Sequence, residues 1–268
     1  MCDTCGCAPV TGVDPNGAGT GTAGGVRLTP VGPPARDGAG HDHPHAITLE
    51  RDVLSRNDDL AARNRAWLDL HGVTAVNVMS SPGSGKTTLL ERTVADLVRP
   101  PEAPPVSVIE GDQETLLDAR RLAAAGARTV QVNTGAGCHL DAAMVARALP
   151  ELAPPPGSTV FVENVGNLVC PALFDLGEHA RAVLMSVTEG ADKPLKYPHM
   201  FRRADVVLIN KIDLLPHVDF DVAACREAAR RVSPGVRVLL VSAARGDGIP
   251  GWCAWLRSLR RSGEPLTH

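Results

Sequence analysis

The chain has 268 residues, enough for one core domain of about 200 residues and an appendage. It is 44% hydrophobic with a formal net charge of −3, a balance that argues against capture by nucleic acid or by an anionic membrane surface. No apolar run reaches about 18 residues, so no membrane span is predicted.

Cys2 and Asp3 stand where a secretory leader would carry basic and apolar stretches, and the expected location is the cytoplasm. Seven cysteines there read as thiols or metal ligands rather than as a disulfide framework. Residues 1–46 form the first segment: sixteen are Gly or Pro and none is aromatic. Such a stretch buries too little apolar surface to offset its ordering entropy, so it is expected to be a flexible arm. Its tip, "MCDTCGC", places Cys2, Cys5 and Cys7 within six residues. Thiolates select soft or borderline ions such as Zn²⁺, Ni²⁺ or Cu⁺; a redox dithiol is the competing reading. At the base, "HDHPH" alternates His41, His43 and His45, which suits either a weak metal site or a solvated linker.

The rest, 47–268, is expected to be one nucleotide-binding domain with an N-terminal helical extension. Residues 47–71 carry Leu49, Val53, Leu54, Leu60, Ala61, Trp67 and Leu68 at roughly helical spacing, and Gly72 is placed to end the helix. Apolar runs at 74–79, 106–109, 129–132, 159–163, 183–187, 206–210 and 236–241 then alternate with helical patterns near 86–98, 113–125, 139–149 and 220–232, and "IPGWCAWLRSLRR" supplies a closing helix. This alternation predicts an α/β fold with a mostly parallel sheet covered on both faces.

Chemistry falls at the ends of these runs. After 74–79 comes "SSPGSGKTTLLE", a loop of small residues leading into a helix. Small residues let backbone N–H groups close around phosphate, and the helix N-terminus favours anions. Gly83, Ser84, Gly85, Lys86, Thr87 and Thr88 are therefore the expected phosphate-binding residues. Lys86 would reach the β/γ-phosphates and Thr87 would place its hydroxyl on Mg²⁺. Ser80 stands where the P-loop pattern has its first glycine. "VIEGDQET" offers Asp112, a carboxylate for Mg²⁺ or an N-cap for the helix expected from Gln113. "NTGAGCHLDA" sets Cys138 beside His139 at the start of a helix, and "ENVGNLVCPA" supplies Glu163, Gly166 and Cys170. Glu163 would act with Lys86, Thr87 and Asp112 in catalysis and Mg²⁺ binding. Cys138, His139 and Cys170 form a three-donor candidate for Ni²⁺ or Zn²⁺, whose shell water or a second subunit could complete. Cys225 and Cys253 lie in helical patterns and are assigned to packing. Lys193, Lys196 and Tyr197 follow a strand, either as contacts to nucleotide or a second subunit or as an exposed loop. "VVLINKID" ends a strand with Asn210, Lys211 and Asp213. An Asp carboxylate there accepts two guanine N–H bonds that adenine cannot offer in that geometry, selecting GTP and GDP. Ser242 and Ala243 in "VSAARGDGI" are the expected last base-contacting loop; Ala244 replaces the Lys often found next.

Taken in order, "SSPGSGKTTLLE", "EGDQET", "NTGAGCHLDA", "ENVGNLVCPA", "TEGADKPLKYP" and "NKID" closely resemble the HypB family of nickel-incorporation GTPases of [NiFe]-hydrogenase maturation, over roughly residues 47–260. "CxxCGC" resembles the separate high-affinity nickel site of some members. The resemblance implies a SIMIBI-type P-loop fold, slow Mg²⁺-dependent GTP hydrolysis and a homodimer promoted by GTP and metal. It implies a metal site at the dimer interface on Cys138, His139 and Cys170. The implied partners are HypA, often SlyD, and the hydrogenase large subunit that receives Ni²⁺. A related metallochaperone GTPase such as UreG of urease maturation is the nearest alternative; it carries a Cys-Pro-His motif, whereas this chain has Cys138-His139 and a distant Cys170. Glu163 and Cys170 lie seven residues apart on one segment, so nucleotide state and metal affinity are expected to be linked.

Overall fold

The computed structural model describes residues 44–98, 105–112, 117–135 and 137–259. Cys2, Cys5 and Cys7, and the side chains of His41, His43 and His45, lie outside the described residues. Seven strands form one parallel sheet: β1 (Thr74–Ser80), β2 (Val106–Asp112), β3 (Arg128–Asn133), β4 (Thr159–Glu163), β5 (Ala180–Ser186), β6 (Val206–Asn210) and β7 (Arg237–Leu240). Their order is β3-β2-β4-β1-β5-β6-β7. The helices are α1 (Pro44–Leu70), α2 (Lys86–Val98), α3 (Leu117–Ala124), α4 (Ala142–Leu152), the short α5 (Lys193–Lys196) and α6 (Pro198–Arg202), α7 (Val222–Val232) and α8 (Ile249–Leu259). Among the described residues, no helix is long and apolar enough to cross a membrane. This is the parallel, helix-covered α/β sheet expected from the alternating pattern and, with its P-loop, the SIMIBI-type fold that the family resemblance implied.

The strands read as continuous apolar runs because both faces are covered. Alternate residues go to opposite sides. Val76 and Val78 pack with Leu89, Leu90 and Trp252 of α2 and α8. Ala75 packs with Leu68, Val145 and Leu149 of α1 and α4, while Met79 joins Met200, Phe201 and Cys225 around α6 and α7. The fully buried Trp252 donates its indole N–H to Thr93 Oγ1 at 2.9 Å, so its polar edge is satisfied inside the core. Cys225 and Cys253 are buried packing residues, and burial pushes the Cys225 thiol up to about 11.

Three boundaries differ from expectation. Helix α1 begins at Pro44 rather than Ile47; it ends as expected, Gly72 taking φ 63° while the Val73 N–H bonds back to the Leu68 carbonyl. Val53, expected on its apolar face, is exposed. Strand β5 begins at Ala180, three residues early, because the Arg181 N–H donates to Asp205 Oδ2 and its guanidinium pairs with buried Glu178. Helix α4 begins at Ala142, capped by Asp141, whose carboxylate accepts from the Met144 N–H at 2.7 Å. Cys138 and His139 therefore sit in the loop ahead of the helix rather than in its first turn.

Candidate nucleotide and metal sites

Among the described residues, the chemical segments emerge at the C-terminal edge of the parallel sheet, where ligands bind in open α/β folds. The P-loop follows β1. Gly83 and Gly85 take φ 69° and 98°, values that favour glycine. A Cβ on Gly85 would lie 2.7 Å from Asn210 Nδ2. Ser80, at the expected first-glycine position, is the last residue of β1, paired with Leu184 and without positive φ. No glycine is needed there.

The loop leads into a cleft of about 260 Å³ lined by Gly83–Thr88, Glu110, Gly111, Asp112, Asp118, Arg121 and residues 163–166. The Thr87 hydroxyl donates to Glu163 Oε1 at 2.7 Å and lies 3.1 Å from Asp118 Oδ2. Glu163 is buried, which raises its carboxyl pKa, with Lys86 opposing the shift. Lys86, Thr87, Asp112 and Glu163 are thus together, as the sequence predicted for the cleft. Gly166 brings its backbone against Pro82 of the P-loop: a Cβ there would meet Pro82 Cα at 3.1 Å.

Three charged cleft residues were not anticipated. Glu110 stands opposite Glu163 in the β2–β4 register. Burial, then the neighbouring Glu163 charge, pushes its carboxyl up to about 8. Oε2 of Glu110 and Oε2 of Glu163 are both buried without a hydrogen-bond partner. Two orphaned carboxyl oxygens lining the same cleft as Thr87 are the hard oxygen donors a Mg²⁺ ion takes, and the residues fit that ion. Asp118 and Arg121 come from α3, where Arg121 pairs with Glu91 and Asp118 and donates to Thr88 Oγ1 at 3.3 Å. Glu110 did carry a signal: it lies two residues before Asp112 on one strand, so the two share a face. Asp118 and Arg121 carried none, since charged residues in a surface helix pattern usually face solvent. Asp112 ends β2; its alternative reading as N-cap of a helix from Gln113 falls on 113–116, which lie outside the described residues.

The raised Glu110 pKa has a measurable consequence. Its carboxyl holds a proton in the fold where the unfolded chain has lost it, so stability falls as pH rises from about 4.5 to about 8. Glu110→Gln removes this penalty. In nucleotide-free protein it should raise the thermal midpoint by several degrees above pH 8 and by almost nothing near pH 4.5. Calorimetry across that range tests it, and a gain independent of pH would contradict the assignment.

The base-side loops are tied to the P-loop. Asn210 is buried; its Nδ2 donates to the Ser84 carbonyl at 2.9 Å and its Oδ1 accepts from the Ala243 N–H at 3.0 Å. Lys211 takes φ 61°, and its ammonium donates to the Gly83 carbonyl at 2.8 Å. The Ser242 hydroxyl donates to Asp213 Oδ1 at 2.6 Å, which holds that carboxyl below the usual range. Asn210, Lys211, Asp213, Ser242 and Ala243 therefore form one framework with the P-loop. Nearby, Lys193 Nζ lies 2.9 Å from Glu189 and donates to Ser81 Oγ at 3.3 Å, while exposed Lys196 pairs with Asp192.

The second constellation also assembles. The ligand atoms of Cys138, His139 and Cys170 all lie within 4.8 Å of one another. Cys138 Sγ is 3.6 Å from His139 Nδ1, and the imidazole stacks on Phe174 with ring centroids 4.1 Å apart. Burial lowers the His139 pKa, against the Asp141 charge, which favours the neutral, metal-binding imidazole. Cys170 opens a short 3₁₀ turn that follows β4. Two thiols and an imidazole suit Zn²⁺ or Ni²⁺.

The two sites touch. Asn164 follows Glu163 directly, and its side-chain Oδ1 accepts from the Leu140 N–H at 3.1 Å, next to His139.

The family described as "CobW/HypB/UreG, nucleotide-binding domain" matches residues 74–240. The hydrogenase maturation factor HypB of Rhizobium leguminosarum bv. viciae is 56% identical over 210 residues, covering 78% of this chain and 69% of the relative. HypB of Escherichia coli (strain K12) is 52% identical over 214 residues, covering 80% and 73%. Among solved structures, HypB from Helicobacter pylori in complex with nickel aligns with a TM-score of 0.71 at 37% identity, covering 80% of this chain and 99% of that one.

Proposed function

The chain belongs to the HypB hydrogenase maturation factors of the CobW/HypB/UreG family, and from that premise we propose that it is a GTP-hydrolysing nickel metallochaperone. It would help insert Ni²⁺ into the [NiFe]-hydrogenase large subunit, in the cytoplasm. The relatives named as hydrogenase maturation factors at 52–56% identity favour this over the urease alternative.

The observation that carries the reading is the hydrogen bond from Leu140 to Asn164, because it joins a phosphate-sensing segment to a metal-binding one. Gly83, Ser84, Gly85, Lys86 and Thr88 would hold the phosphates, Lys86 neutralising charge on the β/γ-oxygens. Asp213 would read guanine, with Asn210, Lys211, Ser242 and Ala243 fixing its loop. Thr87, Glu163 and Asp112, joined by Glu110, would hold Mg²⁺, which would offset the charge that develops on the transferred phosphoryl group. Cys138, His139 and Cys170 would carry Ni²⁺ or Zn²⁺ as cargo. Ordering of 163–166 on γ-phosphate would shift Cys170 through the chain and Leu140 through Asn164, changing the geometry offered to the ion. Four-coordinate Ni²⁺ often prefers a tetragonal shell and Zn²⁺ a tetrahedral one, so such a shift could favour release.

Hydrolysis is expected to be slow, as the family resemblance implies, and a homodimer would bring the Cys138, His139 and Cys170 sites together. Cys2, Cys5 and Cys7 in an arm over residues 1–46 would form a second, tighter nickel site, with 47–268 as the GTPase domain and its helical extension. HypA, SlyD and the large subunit would be its partners.

The direct test is nickel transfer to an apo large subunit by purified, reduced, Ni²⁺-loaded protein, read as hydrogenase activity. GTP should raise the yield over GDP, and Lys86→Ala should remove the increase. Equal transfer with GTP, with GDP and with no nucleotide would overturn the reading.

A further inference from the structure

Over its described side chains, helix α1 buries one stripe of four residues, two of them polar. Asn57, Ala61, Asn64 and Leu68 follow one another at helical spacing, all at or below 6% exposure. Apolar residues at Asn57 and Asn64 would make the simpler core contact, since a buried amide is costly unless hydrogen-bonded. Both amides are hydrogen-bonded, and on two particular stretches of main chain. Asn57 Oδ1 accepts from the Ala142 N–H at 2.9 Å, and its Nδ2 donates to the Asp175 carbonyl at 2.8 Å. Asn64 Nδ2 donates to the Ala142 carbonyl at 2.8 Å and to the Leu176 carbonyl at 3.0 Å.

Ala142 lies three residues after His139, and Asp175 lies five after Cys170. The two asparagines therefore fasten together the stretches that follow the two halves of the Cys138, His139, Cys170 cluster. Further contacts hold the same loop against the helix. Arg65 pairs with Asp175 at 2.8 Å. Gly177, at φ 90°, lets the loop lie on the α1 backbone: a Cβ there would come within 2.5 Å of the Ala61 carbonyl oxygen.

We propose that α1 sets the spacing of the metal-binding cluster, with Asn57 and Asn64 as its positioning residues. The proposal rests on the metal-binding reading of that cluster. Neither asparagine touches the ion; each acts through the backbone it holds, as outer groups do when they orient metal ligands. Because α1 does not line the nucleotide cleft, its grip should affect metal binding without affecting GTP.

The test uses the full-length, reduced chain with Cys2, Cys5 and Cys7 replaced by Ala. Ni²⁺ and Co²⁺ serve as probes, read by thiolate-to-metal charge-transfer absorption and by chelator competition. A fluorescent GTP analogue is titrated in parallel on the metal-free protein, where linkage to bound metal does not enter. In this background Asn64→Asp, which is isosteric but loses both donated bonds, should shift the charge-transfer band and weaken metal binding by roughly 10–100-fold. GTP-analogue affinity should stay within about twofold. Asn57→Asp keeps the acceptor for Ala142 and loses only the donation to Asp175, so it should give a smaller change of the same kind, and it serves if Asn64→Asp does not fold. An unchanged band and affinity in both variants would overturn the proposal. So would parallel loss of metal and GTP-analogue binding, which would make the asparagines merely structural. Absence of any charge-transfer band in the background chain would instead remove the metal-binding reading itself, and the positioning role with it.

Discussion

Replacing Asp213 with Asn should lower affinity for GTP by roughly 100-fold or more and raise affinity for xanthosine triphosphate. The carboxylate can accept from both guanine N1–H and the exocyclic amine, and bonds to charged groups contribute about 1.5–3 kcal/mol each. An Asn amide keeps one acceptor but turns a donor towards the exocyclic amine. Xanthine carries a carbonyl at that position, so the same donor becomes a match. The fold should tolerate the change, because Asn still offers an oxygen to the Ser242 hydroxyl that now donates to Asp213. Competition binding with GTP, ATP and xanthosine triphosphate reads it. Unchanged preference for GTP would show that Asp213 does not face the base.

Replacing Cys170 with Ala should weaken Ni²⁺ and Zn²⁺ binding at the domain site on the order of 100-fold or more, since even outer-shell changes cost 10–100-fold. It should also reduce the dependence of the residual affinity on nucleotide, since one of the two connections is lost. Cys170 is the donor whose segment runs back to Glu163, which accepts from Thr87 in the phosphate cleft. Without it, Cys138 and His139 hold metal with only the Asn164–Leu140 connection to the nucleotide site. GTP binding itself should persist, because Cys170 does not line the cleft. Chelator competition with and without a GTP analogue measures both effects. Undiminished nucleotide dependence in the variant would mean that coupling travels by the Leu140 side alone.

Much of this was legible in the chain because the chemistry is local. A P-loop is a contiguous segment, and strands buried on both faces give unbroken apolar runs, so all seven strands and the loop after the first could be read directly. The metal cluster was readable as residue types, though its closure depends on β3 and β4 lying on opposite sides of β2 in the sheet. What escaped was polar burial. Glu110 sits inside an apolar strand and only the facing Glu163 gives it meaning. Asn57 and Asn64 look like the solvated side of an amphipathic helix until α4 and the 175–177 loop are packed on them. The start of α4 moved for a related reason: the Leu140 N–H is taken by Asn164, 24 residues along the chain, rather than by the helix. Tertiary hydrogen bonds of this kind leave no periodic trace in sequence.

The central claim is that nucleotide and metal are thermodynamically linked. The measurement that tests it most directly is Ni²⁺ affinity of the chain with Cys2, Cys5 and Cys7 replaced by Ala, taken without nucleotide, with GDP and with a non-hydrolysable GTP analogue. Linkage requires the GTP analogue to change the affinity, by roughly 5–150-fold if the coupling is ordinary in size, and Ni²⁺ to change analogue affinity by the same factor. Superimposable binding curves in all three states would contradict the account and leave the GTPase as a timer for partner docking.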